Sequence, residues 1–304
     1  MFAGPRPERD ETISFDPASI GPDLDAWLAA SEAKFPAIRP GAQKEIVWAD
    51  PATRGKTKLA VIYLHGFSAT KMEIRPVPDK VAAALGANLF FTRLTGHGQD
   101  GPAMADGSMN AWINDVAEAL AIGSRIGERV VVIGTSTGGT LAAWAASKPE
   151  MAQNIAALAL VSPNFAIQGA SIGLLNMPWA DRLLPMVLGQ ERSFEPHNAE
   201  QAKWWTTSYP SRAVFPMGAL LQTMSEIDPG QINVPAIFFI SPDDKVVVPA
   251  VARKVQQRWG GPKKLVLVQE SGDPSNHVLA GDILSPGNTE AVTRDIVEFV
   301  QIVM

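Results

Sequence analysis

From Glu45 onward, short apolar runs alternate with stretches of helical spacing. The runs are Lys58 to Leu64 (KLAVIYL), Asn88 to Thr92 (NLFFT), Val130 to Ile133 (VVVI), Ala156 to Val161 (AALALV), Ala236 to Ile240 (AIFFI) and Leu265 to Val268 (LVLV). Each has the length of a strand and is almost continuously apolar, the pattern of strands buried on both faces. Helical signals fill the gaps: Val77 to Leu85, a stretch from the N-cap candidate Ser108 through Trp112, Val116 and Leu120, Gly138 to Ala146, Pro249 to Trp259, and Asn288 to the end. Strand–helix alternation of this kind predicts an α/β fold, a mostly parallel central sheet with helices on both faces.

Two segments depart from the alternation. Residues 162–233 hold Trp179, Trp204, Trp205, seven prolines and several Met and Leu, with no strand-like run. A structureless loop of that length is improbable in a compact domain, so the segment is read as an inserted helical cap. Residues 1–44 are Pro-rich and polar, apart from one amphipathic stretch in which Leu24, Trp27, Leu28 and Phe35 recur near helical spacing after Pro22-Asp23. They are read as an extension packed on a core formed by 45–161 and 234–304.

The strongest chemical signal is Gly134-Thr135-Ser136-Thr137-Gly138, placed where VVVI ends and TLAAWAA begins. A Ser in G-x-S-x-G between a strand and a helix is a nucleophile elbow. A hydroxyl is a weak nucleophile, so Ser136 needs a base, and the base needs an orienting acid. Two histidines follow Ser136: His197, in the middle of the 162–233 segment, and His277, in a polar loop after LVLV. Two adjacent acids, Asp243 and Asp244, follow AIFFI. The early strand KLAVIYL runs into His65-Gly66-Phe67, and NLFFT is followed by Gly96-His97-Gly98, whose histidine is read as structural.

The HGF turn, the GHG turn, the elbow with Gly139 behind it and the late Asp and His together resemble the α/β-hydrolase superfamily. Within it, the chain resembles the carboxylesterase, monoacylglycerol lipase and lysophospholipase group. Ser208-Tyr209-Pro210 is similar to the cap of bacterial esterases of that group, and the resemblance spans roughly Glu45 to Met304. It implies the order Ser, Asp, His, hence Ser136, Asp244 and His277, with Asp243 as the alternative acid. It also implies backbone N–H donors to an oxyanion from Phe67 and Thr137. Ester hydrolysis through an acyl-enzyme, without a cofactor, is the implied activity. Short to medium acyl chains are expected, with Leu174, Met177 and Trp179 as candidate wall residues of the acyl pocket. Other triad chemistries (C–C bond, thioester or amide hydrolysis, perhydrolysis) and a ligand-binding receptor on the same fold are the alternatives.

Composition narrows the partners. The net charge is −5, and no run of Lys and Arg offers the basic stripe that nucleic acid requires. There is no cysteine, so disulfides, thiolate metal sites and a Cys nucleophile are excluded. No window has the roughly 18 consecutive apolar residues of a membrane span, and the N-terminus MFAGPRPERDETISF has no leader pattern. A soluble protein acting on a small-molecule ester is expected, cytoplasmic unless a signal peptide has been removed. The oligomeric state is not legible.

Overall fold

In the computed structural model, which describes residues 4–169 and 171–304, nine strands form two sheets. Met1 to Ala3, the start of the N-terminal extension, and Ala170, within the proposed cap, lie outside the described residues. The main sheet contains β1 (Glu45–Val47), β2 (Thr57–Leu64), β3 (Asn88–Phe91), β4 (Gly127–Thr135), β5 (Ile155–Val161), β8 (Ala236–Ile240) and β9 (Lys263–Leu267). Their spatial order is β1-β3-β2-β4-β5-β8-β9, and only β1 runs antiparallel to its neighbour. The small sheet pairs β6 (Glu191–Ser193) with β7 (Ser208–Pro210).

The continuous apolar runs have the expected cause. Alternate residues of each central strand enter opposite cores. Ile62, Leu64, Val130, Val132, Leu158 and Leu160 pack with Trp112, Trp144 and Trp259 on one face. Val61, Tyr63, Val131, Ile133, Ala159 and Val161 pack with Val81, Ile296 and Phe299 on the other. The helices that close these faces are α1 (Leu24–Glu32), α2 (Val77–Leu85), α3 (Met109–Ile126), α4 (Thr137–Ala146), α5 (Pro149–Ala152), α10 (Pro249–Arg258) and α11 (Thr289–Val303). Ser108 caps α3 by accepting from the Ala111 N–H, as its sequence position predicts.

Two expectations need correction, and one strand was missed. The LVLV run is not buried on both faces: β9 is an edge strand, and Leu267 is 40% exposed. The short antiparallel β1 escapes sequence reading because three residues are too few to show a period. Phe35 is not on the N-terminal helix, because Pro36 disfavours helical geometry in the residue before it. It sits instead with its ring 4.8 Å from the Arg93 guanidinium.

Between β5 and β8 lie α6 (Ile172–Leu175), α7 (Ala180–Leu188), α8 (Ala199–Trp204) and α9 (Phe215–Glu226), together with the β6–β7 pair that the sequence reading had not anticipated. Residues 4–15 run along this segment and the core. Pro5 O accepts from the Trp179 N–H (2.7 Å), Arg6 reaches Asn176 O (2.6 Å), Arg9 pairs with Glu226, and Glu11 accepts from Trp144 Nε1 (2.7 Å). Among the described residues, no helix is long and apolar enough to cross a membrane.

The extension is also tied to the core by a buried ion pair. Glu32, on α1, accepts from both arms of the Arg93 guanidinium at 2.8 Å and from the Lys44 N–H at 2.9 Å. Burial works against its charge, but these bonds outweigh it and hold the carboxyl below its ordinary range. Removing one partner of a buried pair leaves an uncompensated charge. Glu32→Ala should therefore lower the unfolding free energy by about 3–5 kcal/mol. Arg258→Ala, which breaks the exposed pair with Asp228, should cost less than about 1 kcal/mol. Urea denaturation followed by circular dichroism measures both.

Candidate active site

The strand order places a crevice before any side chain is considered. The chain leaves β2 for β3 on one side and returns to β4 on the other, so the loops after β2 and β4 diverge at a topological switch point. Such points, at the carboxyl ends of parallel strands, are where open α/β sheets bind ligands. His65-Gly66-Phe67 follows β2 and Ser136 follows β4.

Ser136 adopts φ 51° and ψ −116°, between β4 and the first residue of α4. A non-glycine residue held there costs on the order of 1–3 kcal/mol and persists only when its surroundings over-determine it. They do so here: the Ser136 N–H donates to Val161 O (2.9 Å), and Ser136 O accepts from the N–H groups of Thr140 and Asn164 (both 3.1 Å). Gly138 is required by close approach, because a Cβ there would lie 2.0 Å from Leu64 O. Thr137 opens α4, so its N–H is among the first-turn donors without an intrahelical partner, at the helix end that favours negative charge.

The second turn is held by its own buried polar groups. His65 Nε2 accepts from the Leu94 N–H (3.1 Å) while Nδ1 faces Gly66 O (2.8 Å), the pattern of a neutral ring. Burial lowers the His65 pKa to about 4. His97 is driven well below its ordinary value by burial and by neighbouring His65. Both rings are therefore structural. The Phe67 ring packs edge-on against His97, Trp112 and, from β7, Tyr209 at centroid distances of 5.6, 6.2 and 5.3 Å.

On the loops after β8 and β9 the structure brings Asp244 and His277 together, with Nδ1 2.8 Å from Oδ2. Asp244 Oδ1 is occupied separately, accepting from the N–H groups of Val246 (2.8 Å) and Val247 (2.9 Å). Asp243 is exposed and stays away from the histidine. Burial disfavours a charged His277, but the Asp244 bond and the charges of Asp244, Glu73 and Asp273 outweigh it and raise the ring's pKa.

Two contributors were not singled out in the sequence. Asp273 Oδ2 accepts from the N–H groups of His277 (3.0 Å) and Val278 (2.9 Å), and Ser162 Oγ donates to His277 O (2.7 Å). The Asp-Pro-Ser spacing before the histidine was a turn signal that could have revealed the first. Nothing local marks the second.

The site is covered: Ser136 and His277 are 5% and 7% exposed. Met217, on α9, packs on the elbow beside Asn164, with its Sδ 3.5 Å from Thr137 Oγ1 and 3.3 Å from Asn164 Nδ2. The three residues expected to line an acyl pocket lie on α6 or between α6 and α7. Leu174 is 43% exposed, Met177 packs on the Leu175, Ala180, Leu184 and Phe215 cluster, and Trp179 is bonded to Pro5. His197 is half-exposed, with Nε2 3.7 Å from Asp273 Oδ1.

The profile of the family described as "Serine aminopeptidase, S33" matches residues 55–272. A thermostable monoacylglycerol lipase from Bacillus sp. (strain H-257) is 26% identical over 220 residues, covering 72% of this chain and 84% of that protein. Among solved structures, one from work on the metagenome-derived lipolytic enzymes LipS and LipT superposes with a TM-score of 0.68 at 20% identity. It covers 87% of this chain and 99% of that one. A soluble variant of monoglyceride lipase from Saccharomyces cerevisiae, in complex with a substrate analogue, superposes at 0.63 with 15% identity, covering 86% and 91%. These likenesses establish the fold.

The two aspartates make a direct test of the electrostatics. Asp244→Asn should lower the His277 pKa, because the imidazolium loses its partner, while Asp243→Asn should leave it in place. NMR titration of the ring protons reads both. Since the folded pKa is raised, this contribution to stability is complete below the unfolded value of about 6.5. It fades as pH climbs through the folded value.

Proposed function

The chain belongs to the serine aminopeptidase family of serine hydrolases with the α/β-hydrolase fold, and from that footing we propose that it cleaves carboxylic esters through an acyl-enzyme. The observation that carries the reading is the 2.8 Å contact between His277 and Asp244, at the crevice where strained Ser136 sits. Nδ1 is taken by the acid, so Nε2 is the ring nitrogen that receives the Ser136 proton. Ser136 Oγ attacks the ester carbonyl carbon, and the carbonyl oxygen becomes an oxyanion facing the N–H groups of Phe67 and Thr137. The imidazolium returns its proton to the leaving alkoxide, the C–O bond breaks, and the acyl group stays on Ser136. Water, deprotonated by His277 in turn, attacks the acyl-enzyme and releases the carboxylate.

An ester with an apolar acyl chain is favoured over the amide that the family's description suggests. The relative at 26% identity carries the name monoacylglycerol lipase, and Met217 lays an apolar side chain against the elbow at Thr137. Apolar walls with a few placed polar atoms are what ligand pockets usually show. Met217 forms the inner wall in this reading, and Met177, Trp179 and Leu174 meet only the far end of a chain that reaches them.

Ser136→Ala should keep its melting temperature and lose nearly all turnover of p-nitrophenyl butyrate. His277→Ala and Asp244→Asn should each lower kcat by roughly 10⁴, since triad members act as a unit. Retention of more than a few per cent of activity by Ser136→Ala would remove the serine from its role. Each methylene buried in an acyl pocket contributes roughly 0.8 kcal/mol. kcat/KM across p-nitrophenyl esters from C2 to C16 should therefore rise a few-fold per carbon and peak at short to medium chains, with the matching amides far slower. A flat profile would mean that the 162–233 segment does not read the acyl chain.

A further inference from the structure

The turn that carries Phe67 rests on a carboxylate that no step above uses. Glu73, in the loop between β2 and α2, is 2% exposed. Its Oε2 accepts from the Gly66 N–H at 2.7 Å and from the Tyr63 O–H at 2.8 Å. Tyr63 Oη also lies 3.1 Å from Thr135 Oγ1, on the residue before the nucleophile. A Cβ on Gly66 would stand 2.6 Å from Glu73 Oε1 and 3.2 Å from Ser136 Cβ, so the carboxylate, the turn and the nucleophile crowd a single point.

Burying a carboxylate without a cation is costly, and the neighbouring cations do not neutralise this one. Lys71 is bonded to Glu45, and Arg75 to Asp79 and Glu45. Burial raises the carboxyl's pKa above its ordinary range, and the two donors that converge on one oxygen oppose that rise in favour of the ionised form. The remaining positive partner is His277, whose imidazolium forms in turnover when the ring takes the serine proton. An interaction that strengthens as the transition state forms raises kcat rather than substrate affinity.

We propose that Glu73 is a positioning residue of this hydrolysis: it holds the Gly66–Phe67 peptide in place for the oxyanion, and its charge favours the His277 imidazolium. The inference rests on the serine-hydrolase mechanism above. The other charged groups around His277 are Asp244 from the loop after β8, Asp273 from its own loop, and His197, 3.7 Å from Asp273. Lys245 is turned to Pro274 O (2.9 Å), and Tyr63 stays neutral because burial and Glu73 push its pKa well up.

The test compares Glu73→Gln with Glu73→Ala. Glutamine keeps a carbonyl oxygen for both donors and removes only the charge. His277 then loses a negative neighbour, its pKa falls, and the acid limb of the pH profile moves to lower pH. Alanine also frees the turn, so kcat should fall about a hundredfold, the cost of a small misplacement of catalytic groups. KM should stay within about twofold, as for an interaction made only in the transition state.

Each variant is read twice, by p-nitrophenyl butyrate turnover and by the rate at which a fluorophosphonate labels Ser136, both as functions of pH. If Glu73→Ala fails to fold, the near-isosteric Glu73→Gln carries the test. Wild-type labelling rates and an unshifted acid limb in Glu73→Gln would overturn the proposal. So would losses that follow the melting temperature alone. Normal labelling of the unmodified protein without ester turnover would instead sink the ester reading.

Discussion

The backbone of Ser136 is the constraint on which the other features depend. At φ 51° and ψ −116° it cannot be held by its own side chain, so the sheet must hold it. β4 arrives with neighbours on both sides, and the bond from Ser136 to Val161 O ties the turn to β5. α4 must then leave so close to β2 that residue 138 has no room for a Cβ against Leu64 O. The small residues of α4 follow from that proximity, since a helix pressed onto a sheet at its first turn cannot carry bulk there. The strain is a local cost met by the buried, fully paired centre of the sheet.

Around that point, charge is buried only where it is answered. Glu32 meets Arg93 through two bonds. Asp115, raised to about 6 by burial, accepts from the Thr95 N–H. Asp273 gathers the N–H groups of the histidine loop. Unpaired, any of these would cost several kcal/mol. Paired, they fix loops that contain little regular structure: Glu32–Arg93 joins the N-terminal extension to the strand end before the GHG turn, and Asp115 holds the start of that turn. The buried polar network thus does for the loops what hydrogen-bonded ladders do for the strands.

The segment between β5 and β8 is built on another plan. Apart from the 12-residue α9 its helices have 9 residues or fewer, α7 contains Pro185, and Met186 and Val187 are largely exposed. α9 is part of the main core, where Met217, Leu220, Leu221 and Met224 pack with Trp112 and Trp144, and further ties are Tyr209 on Phe67, the Thr206 N–H to Ser68 O, and residues 4–15 along Trp179, Asn176 and Glu226. Ser136 is only 5% exposed beneath this segment.

What the sequence determined by itself is what depends on neighbours along the chain. The strands of the central sheet announced themselves because burial on both faces demands unbroken apolar runs, and Ala236 to Ile240 and Val77 to Leu85 match their elements end to end. The elbow was legible because G-x-S-x-G is a local geometric requirement. The tertiary structure alone decided the rest. It separated Asp244 from Asp243, since only the direction of a turn after β8 distinguishes two adjacent acids. It placed Met217 against Thr137 of the elbow, a contact between distant segments that no local pattern records. And it set Glu73 beneath Gly66, seven residues away along a loop, where polar groups meet through folding and leave no pattern in the order of residues.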